Sequence, residues 1–341
     1  MSTAHQTNQE TAMKAFVLRE YGSPDALELK HIDRPTPGPD EVLIRVRATS
    51  VQPWDWHFMR GEPYISRLMP GMLGLRKPSV SILGADLAGE VVSVGNKVTE
   101  FGPGDEVFAM PQRGGGFAEY ACVPVTEVAP KPATLSFEEA AAVPLAAATA
   151  LLAVRDQGRI GPGQRVLVNG ASGGVGTFAV QLAKAYGAHV TGVCSTRNLD
   201  LVRSLGADEV IDYTKQDFTR EGGPYDVILY IAGRRSFLEC RKVLKPKGVC
   251  VMIGGAADRW LQPAGLVFSA LIVSRFTSQK AVLADVVGDK ETRRNLLELS
   301  ALIAADKLTP VIDRVYPFEE LPAAVRYQEE GHAPGKVIVT L

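Results

Sequence analysis

Apolar and polar positions fall into two regimes along the chain. From Lys14 to about Lys131, short alternating runs such as Val42-Leu43-Ile44-Arg45-Val46 and Glu90-Val91-Val92-Ser93-Val94 are separated by glycine, proline and other turn-formers. That is the punctuation of an irregular β domain. The pattern changes at Ser136, which with Glu139 three residues on makes a capping-box signal ahead of an alanine-rich helix. Beyond it, apolar runs alternate with segments of helical length. Val166-Leu167-Val168, His189 to Val193, Val210-Ile211, Asp226 to Tyr230 and Val249 to Ile253 read as strands, with Leu271-Ile272-Val273 as a sixth. Repeated strand-helix units call for a parallel sheet covered on both faces. A charged helix around Glu291 to Ala305 precedes a strand, helix, strand tail at Val311 to Tyr316, Glu319 to Glu330 and Lys336 to Thr340. Periodicity does not assign this tail to either domain.

Length and charge narrow the partners. The chain of 341 residues suggests two domains at roughly 100 to 200 residues each. Its 37 Lys+Arg nearly balance 38 Asp+Glu, so no broad field exists to condense onto a phosphate backbone or anionic lipid. Nucleic acid and membrane are not expected partners; a small molecule is. Cys122, Cys194, Cys240 and Cys250 lie far apart without a C-x-x-C pair, as reduced thiols do, and form no zinc-holding cluster. Met1 to Met13 is polar, contains Glu10 and lacks arginine, so residues 1–12 are expected to be a flexible tail and the location cytoplasmic. The most apolar window, Ala140 to Val154, is shorter than the ~20 residues a bilayer span needs and reads as a buried helix.

The most specific signal is the run Val166-Leu167-Val168-Asn169-Gly170-Ala171-Ser172-Gly173-Gly174-Val175-Gly176. A strand enters a glycine-rich turn, a close relative of G-x-G-x-x-G, and continues into a helical segment, Thr177 to Tyr186. Glycines there let the backbone bend tightly and approach a pyrophosphate, whose charge sits on the free N–H groups at the helix start. The second strand ends Gly192-Val193-Cys194-Ser195-Thr196-Arg197-Asn198, with no acid until Asp200. A carboxylate there would accept from a ribose 2′-OH and repel a 2′-phosphate. Ser195 and Arg197 would instead donate to that phosphate, so NADP(H) is the expected cofactor. One charge-assisted bond of about 1.5 to 3 kcal/mol gives roughly a 10- to 100-fold preference.

With this loop in place, the chain from about Met13 onward resembles the medium-chain dehydrogenase/reductase superfamily, in its zinc-free quinone oxidoreductase-like (zeta-crystallin-like) branch. The resemblance is carried by Gly89-Glu90-Val91-Val92-Ser93-Val94-Gly95, Phe101-Gly102-Pro103-Gly104-Asp105-Glu106-Val107, Gly115-Gly116-Phe117-Ala118-Glu119-Tyr120 and Gly335-Lys336-Val337. It implies an α/β fold. A GroES-like, β-rich catalytic domain would span residues 13–135 and 291–341, and a doubly wound parallel-sheet Rossmann NADP-binding domain residues 136–290, with the substrate cleft at their junction. Carried over by motif, Ser172, Gly173, Gly174, Val175 and Gly176 would hold the pyrophosphate, and Ser195, Arg197 and Tyr213 the 2′-phosphate. Thr149 would meet the nicotinamide end, Ile231, Ile253 and Gly254 would line the adenosine and nicotinamide ribose, and Lys336 would join the cofactor contacts. Family members pair sheet edges across a dimer. The expected edge at Leu271-Ile272-Val273 therefore implies a homodimer.

Zinc-dependent relatives use a Cys after an early strand and the His of a G-H-E tripeptide as ligands. Here Gln52 and Gly84-Ala85-Asp86 stand at those places. Without thiolate or imidazole there is no Lewis acid to acidify an alcohol, so no metal is expected; His57 and Asp86 would make a poor replacement pair. Hydride transfer to an electron-poor carbon, in a quinone or an α,β-unsaturated carbonyl, needs no metal. The site would then have to donate to the oxygen that becomes negative. Gln52, where quinone reductase relatives carry Asn, is the candidate donor and Tyr64 a candidate proton source. Trp54, Trp56 and His57 would give an aromatic wall for flat acceptors, and Asp55 reads as structural. Two alternatives stay open: a zinc-free alcohol or carbonyl dehydrogenase, and an NADPH-binding protein without turnover.

Overall fold

The computed structural model describes residues 12–68, 73–220, 222–254, 264–284 and 290–341. Residues 1–11 of the expected tail lie outside the described residues, whereas Ala12 already opens a strand. That strand, Ala12–Leu18, pairs antiparallel with Leu27–Asp33.

One sheet has seven strands and is built around Glu41–Val51, which is buried along almost its whole length because it pairs with three neighbours. Its first half carries Tyr120–Pro124, Leu87–Val94 runs along most of it, and its second half pairs with Lys336–Thr340. Beyond Lys336–Thr340 lies Ile312–Pro317, and beyond Leu87–Val94 lie Glu106–Ala109 and Val128–Pro130. The C-terminal tail thus completes the sheet begun by the N-terminal part. The helix Thr292–Ala304 buries Leu296, Leu299 and Ile303 in a core shared with the helix Pro144–Leu151.

The second sheet is six parallel strands in the spatial order Glu209–Asp212, His189–Cys194, Arg165–Asn169, Tyr225–Tyr230, Leu244–Met252, Lys280–Leu283. In chain order this is 3-2-1-4-5-6, with the switch point at the carboxyl end of Arg165–Asn169, where an open α/β sheet takes its ligand. The helix Gly174–Ala185 packs Phe178, Ala179, Leu182 and Ala183 on that sheet; truncating Phe178 to Ala would cost about 3 to 5 kcal/mol. The capping box at Ser136 is formed, with the Ser136 hydroxyl accepting from Glu139 N–H and the Glu139 carboxylate accepting from Ser136 N–H.

One expectation is corrected. Leu271-Ile272-Val273 is not a strand but part of the helix Ala264–Ser274, and the sixth strand is Lys280–Leu283. A three-residue apolar run has no period of its own. Its surroundings, Ala264 to Ser274, hold no glycine or proline after Gly265, so the helix continues through it.

Candidate functional site

The turn after Arg165–Asn169 requires glycine. Gly170 has a φ of +90°, and a Cβ on Gly176 would stand 2.0 Å from the Gly170 carbonyl oxygen. Gly173 then caps the helix Gly174–Ala185 without a side-chain hydrogen bond, so the first-turn N–H groups have no intrahelical acceptor and form a ready anion site. A pyrophosphate fits this cradle of Ser172, Gly173, Gly174, Val175 and Gly176. The other domain closes it. Gly335 N–H donates to the Ser172 carbonyl at 2.9 Å, and a Cβ on Gly174 would meet Lys336 Cδ at 3.1 Å.

At the carboxyl ends of the second and third strands, Ser195, Thr196, Arg197, Tyr213, Thr214 and His332 line a recess of about 310 Å³. The three residues expected at a 2′-phosphate come together here. Arg197 is exposed and gives one Nη2 hydrogen bond to the His332 carbonyl at 2.5 Å; its fork has further N–H groups to offer. Sequence reasoning missed two neighbours. His332 arrives from the tail, and no local motif marks it. Asp212, paired in register with Cys194, could have been found by aligning the ends of adjacent strands. Its carboxylate accepts from the Thr196 hydroxyl at 2.5 Å and from the Thr214 hydroxyl and N–H at 2.7 and 3.0 Å, bonds that hold it down to about 2. The acid next to the recess is therefore already occupied by donors.

A second cluster, around Gln52, is assembled by strand register. Val337 lies opposite Val51, and Leu87 opposite Thr49, which brings Lys336 and Asp86 to the point where Gln52 leaves the central strand. Lys336 Nζ donates to Asp86 Oδ2 and to Gln52 Oε1, both at 3.2 Å. Asp86 also accepts from the Ser50 hydroxyl at 2.5 Å and from Leu145 N–H, in the first turn of Pro144–Leu151, at 2.7 Å. Gln52 is 4% exposed, Asp86 0% and Lys336 3%. Among the described residues Gln52 Nε2 has no hydrogen-bond partner. Asp55 lies on the protein side of this cluster, where its two oxygens accept from the N–H groups of Gln52 and Gly84, each at 2.9 Å. Burial nonetheless pushes its carboxyl up to about 7. Asp55 thus fixes the backbone that carries Gln52.

Other expected residues are placed as follows. Thr149 is nearly buried, and its hydroxyl donates to the Leu145 carbonyl at 2.7 Å, one turn from the Asp86 contact. Ile253 and Gly254 both donate N–H to the Tyr230 carbonyl, and a Cβ on Gly254 would lie 2.6 Å from the Ile231 carbonyl oxygen. All three gather at the ends of the fourth and fifth strands. Trp54 and Trp56 do not form one wall: two residues apart on the helix Pro53–Arg60, they point about 160° apart at 100° per residue. Trp54 stacks on Phe58 at 4.1 Å and Trp56 on His57 at 3.7 Å, and both tryptophans pack on the catalytic-domain core. His57 Nδ1 faces the Glu62 carbonyl at 2.9 Å, and burial lowers its pKa. Tyr64 lies beneath the Arg67 guanidinium, 4.7 Å from its ring centre, which also covers Tyr21. Ala85, at the tripeptide's histidine place, offers no ligand atom. Among the described residues no group of three His, Cys, Asp or Glu is placed to hold a metal.

Comparison with known proteins places this geometry in a family. Residues 38–133 match the alcohol dehydrogenase GroES-like domain, and residues 205–339 the zinc-binding dehydrogenase model. The quinone-oxidoreductase QR1 of Triphysaria versicolor is 34% identical over 96% of this chain and 98% of its own. The NADPH-dependent alkenal/one oxidoreductase of Arabidopsis thaliana is 35% identical over 96% of this chain and 79% of its own. The quinone oxidoreductase structure from Coxiella burnetii superposes with a TM-score of 0.83 at 28% identity, covering 97% of this chain and 99% of its own. The switch-point loop, the tail-completed sheet and these likenesses agree: the chain belongs to the medium-chain dehydrogenase/reductase superfamily, as a quinone-oxidoreductase-like member and an oxidoreductase enzyme.

Proposed function

We propose that this NAD(P)H oxidoreductase uses NADPH to reduce quinones or α,β-unsaturated carbonyl compounds without a metal. The reading rests above all on Gln52. Its amide is buried, its oxygen is held by Lys336, and its Nε2 has no acceptor among the described residues. A donor left without a partner in a buried site costs about 1 to 3 kcal/mol, which suits an atom reserved for an oxygen that becomes negative. The recess of Ser195, Arg197 and Tyr213 supports NADPH over NADH. The names of the Triphysaria and Arabidopsis relatives, a quinone oxidoreductase and an alkenal/one oxidoreductase, favour the same acceptors.

The dihydronicotinamide, when bound, supplies a hydride. As that hydride joins the β-carbon of an enone, the C=C pair shifts into a new double bond between the α-carbon and the carbonyl carbon and the C=O pair moves onto the oxygen, where Gln52 Nε2–H donates to the enolate. A proton from water at the α-carbon completes the saturated product. A quinone takes the same hydride and one proton to become a hydroquinone.

A panel of quinones, enals and enones followed by NADPH absorbance tests the reading, and turnover of none would defeat it. Turnover is expected to survive a chelator, because Gln52 and Ala85 stand at the ligand positions; loss on EDTA treatment with recovery on zinc would refute this. We also propose a homodimer. Phe268, Ile272 and Phe276 are exposed at 59%, 61% and 85% beside the Lys280–Leu283 sheet edge, an apolar surface that pairing would cover. Light scattering at micromolar concentration should return twice the 36.6 kDa chain mass. No described helix is long and apolar enough to cross a membrane.

A further inference from the structure

The resemblance assigns Lys336 to the cofactor, yet its ammonium is turned elsewhere. Its stem passes the helix start at Gly174, while Nζ ends on Gln52 Oε1 and Asp86 Oδ2. From this geometry we infer that Lys336 is a positioning residue for the acceptor half: it fixes which way the Gln52 amide faces and polarises it, putting a positive charge behind the donor.

The orientation follows from donor chemistry. An ammonium has three donors and no acceptor, so the amide beside it must present oxygen, and the NH2 group must face the opposite way. A flipped amide would set donor against donor between two buried side chains. Lys336 therefore selects the one rotamer in which Nε2–H is available, which accounts for the buried donor without a partner.

The charge also survives its counter-ion in part. Asp86 already accepts from the Ser50 hydroxyl and the Leu145 N–H, so its negative charge is shared among three donors. Asp55, the other buried carboxyl nearby, is pushed toward its neutral form by burial. A cation held on the amide oxygen draws electron density from the N–H bonds and strengthens the bond they give to an anion. Zinc relatives, by the resemblance, have a metal cation at this end of the strand; here a lysine supplies the positive charge, one amide removed. Glutamine fits that bridge because it is one methylene longer than asparagine.

This inference rests on the proposed reduction, and a double-mutant cycle separates the two. Lys336→Met, Gln52→Met and the double variant are compared for kcat at saturating NADPH and for the NADPH dissociation constant by fluorescence titration. Lys336→Met should lower kcat by about 10- to 100-fold, the worth of one charge-assisted hydrogen bond, and shift NADPH binding less than about threefold. Adding Lys336→Met to Gln52→Met should cost at most about twofold more, because the lysine acts through that amide. Lys336→Met leaves Asp86 buried without its cation, so Lys336→Met/Asp86→Asn, a neutral pair, is measured beside it and should show the same kcat loss. Losses that multiply, a loss confined to NADPH affinity, or a loss that vanishes in the neutral Lys336→Met/Asp86→Asn pair would each overturn the inference while leaving the reductase reading intact. A wild type inactive on the whole acceptor panel would overturn both.

Discussion

At the proposed nucleotide site Arg197 and Tyr213 stand in the open, whereas at the proposed acceptor site Gln52, Asp86 and Lys336 are almost wholly enclosed. The same unit charges 4 Å apart interact by about 1 kcal/mol in water and about 4 kcal/mol at an effective dielectric of 20. An exposed recess can therefore recognise a phosphate and release it again, but it spends most of its field on solvent. An enclosed amide and ammonium keep their orientation and field for the moment at which charge develops. The difference separates cofactor choice from rate, and each half should be breakable without disturbing the other.

The largest expected effect is at the enclosed end. Gln52→Ala should lower kcat by roughly 10- to 1,000-fold, the range single oxyanion donors supply, and leave the NADPH dissociation constant unchanged. Gln52→Asn keeps the amide but shortens its reach, so it should retain more activity than alanine and less than glutamine. An alanine variant that turns over enones at the wild-type rate would make Gln52 a bystander.

Acid titration offers the next contrast, because the two halves bury carboxyls with opposite shifts. Asp55 is raised to about 7 in the fold against an unfolded value near 3.9, so between about pH 4 and 7 the folded state binds the extra proton. Its contribution to stability is then fully present below about pH 4 and declines as pH rises to 7, by up to a few kcal/mol. Asp212, held at about 2, contributes in the other sense: present above its unfolded value, lost as pH falls toward 2. Asp55→Asn should thus destabilise most near pH 4 to 5, with the gap to wild type narrowing toward neutrality in melting curves. A gap that widens with pH would mean that Asp55 is charged in the fold.

How much of this was legible depends on sequence separation. The phosphate loop and the second-strand end are short motifs whose geometry is set by neighbours in the chain, whereas Tyr213 reaches the recess of Ser195 and Arg197 through the pairing of the third strand with the second. Asp212 escaped because it needs a second strand laid beside the first. The acceptor cluster is wholly non-local: Gln52, Asp86, Leu145 and Lys336 meet only through the register of an antiparallel sheet closed by the tail. Gln52 could be named as a donor from its place in a motif, but neither its orphaned Nε2 nor the lysine behind it leaves a trace in periodicity. The run Leu271-Ile272-Val273 failed for a different reason, since a short apolar stretch is equally at home in a strand and in a helix.

The smallest expected effect lies at the exposed end, and ionic strength makes it diagnostic. Arg197 already gives one N–H to the His332 carbonyl and competes with water for the rest, so Arg197→Ala should weaken NADPH binding by about tenfold, the low end for a bond to a charged partner. NADH, which has no 2′-phosphate, should be almost unaffected. Because the Debye length falls from about 10 Å at 0.1 M salt to about 3 Å at 1 M, the wild type's preference for NADPH should shrink as salt is added. The kcat penalty of Gln52→Ala should hardly move over the same range, since its partners are sealed from counter-ions. Titrating both cofactors against wild type and Arg197→Ala, and measuring kcat of wild type and Gln52→Ala, at low and high salt tests these expectations together. Equal losses of NADH and NADPH in Arg197→Ala would remove the arginine from the 2′-phosphate site, and a cofactor preference indifferent to salt would mean that the recess is sealed when occupied.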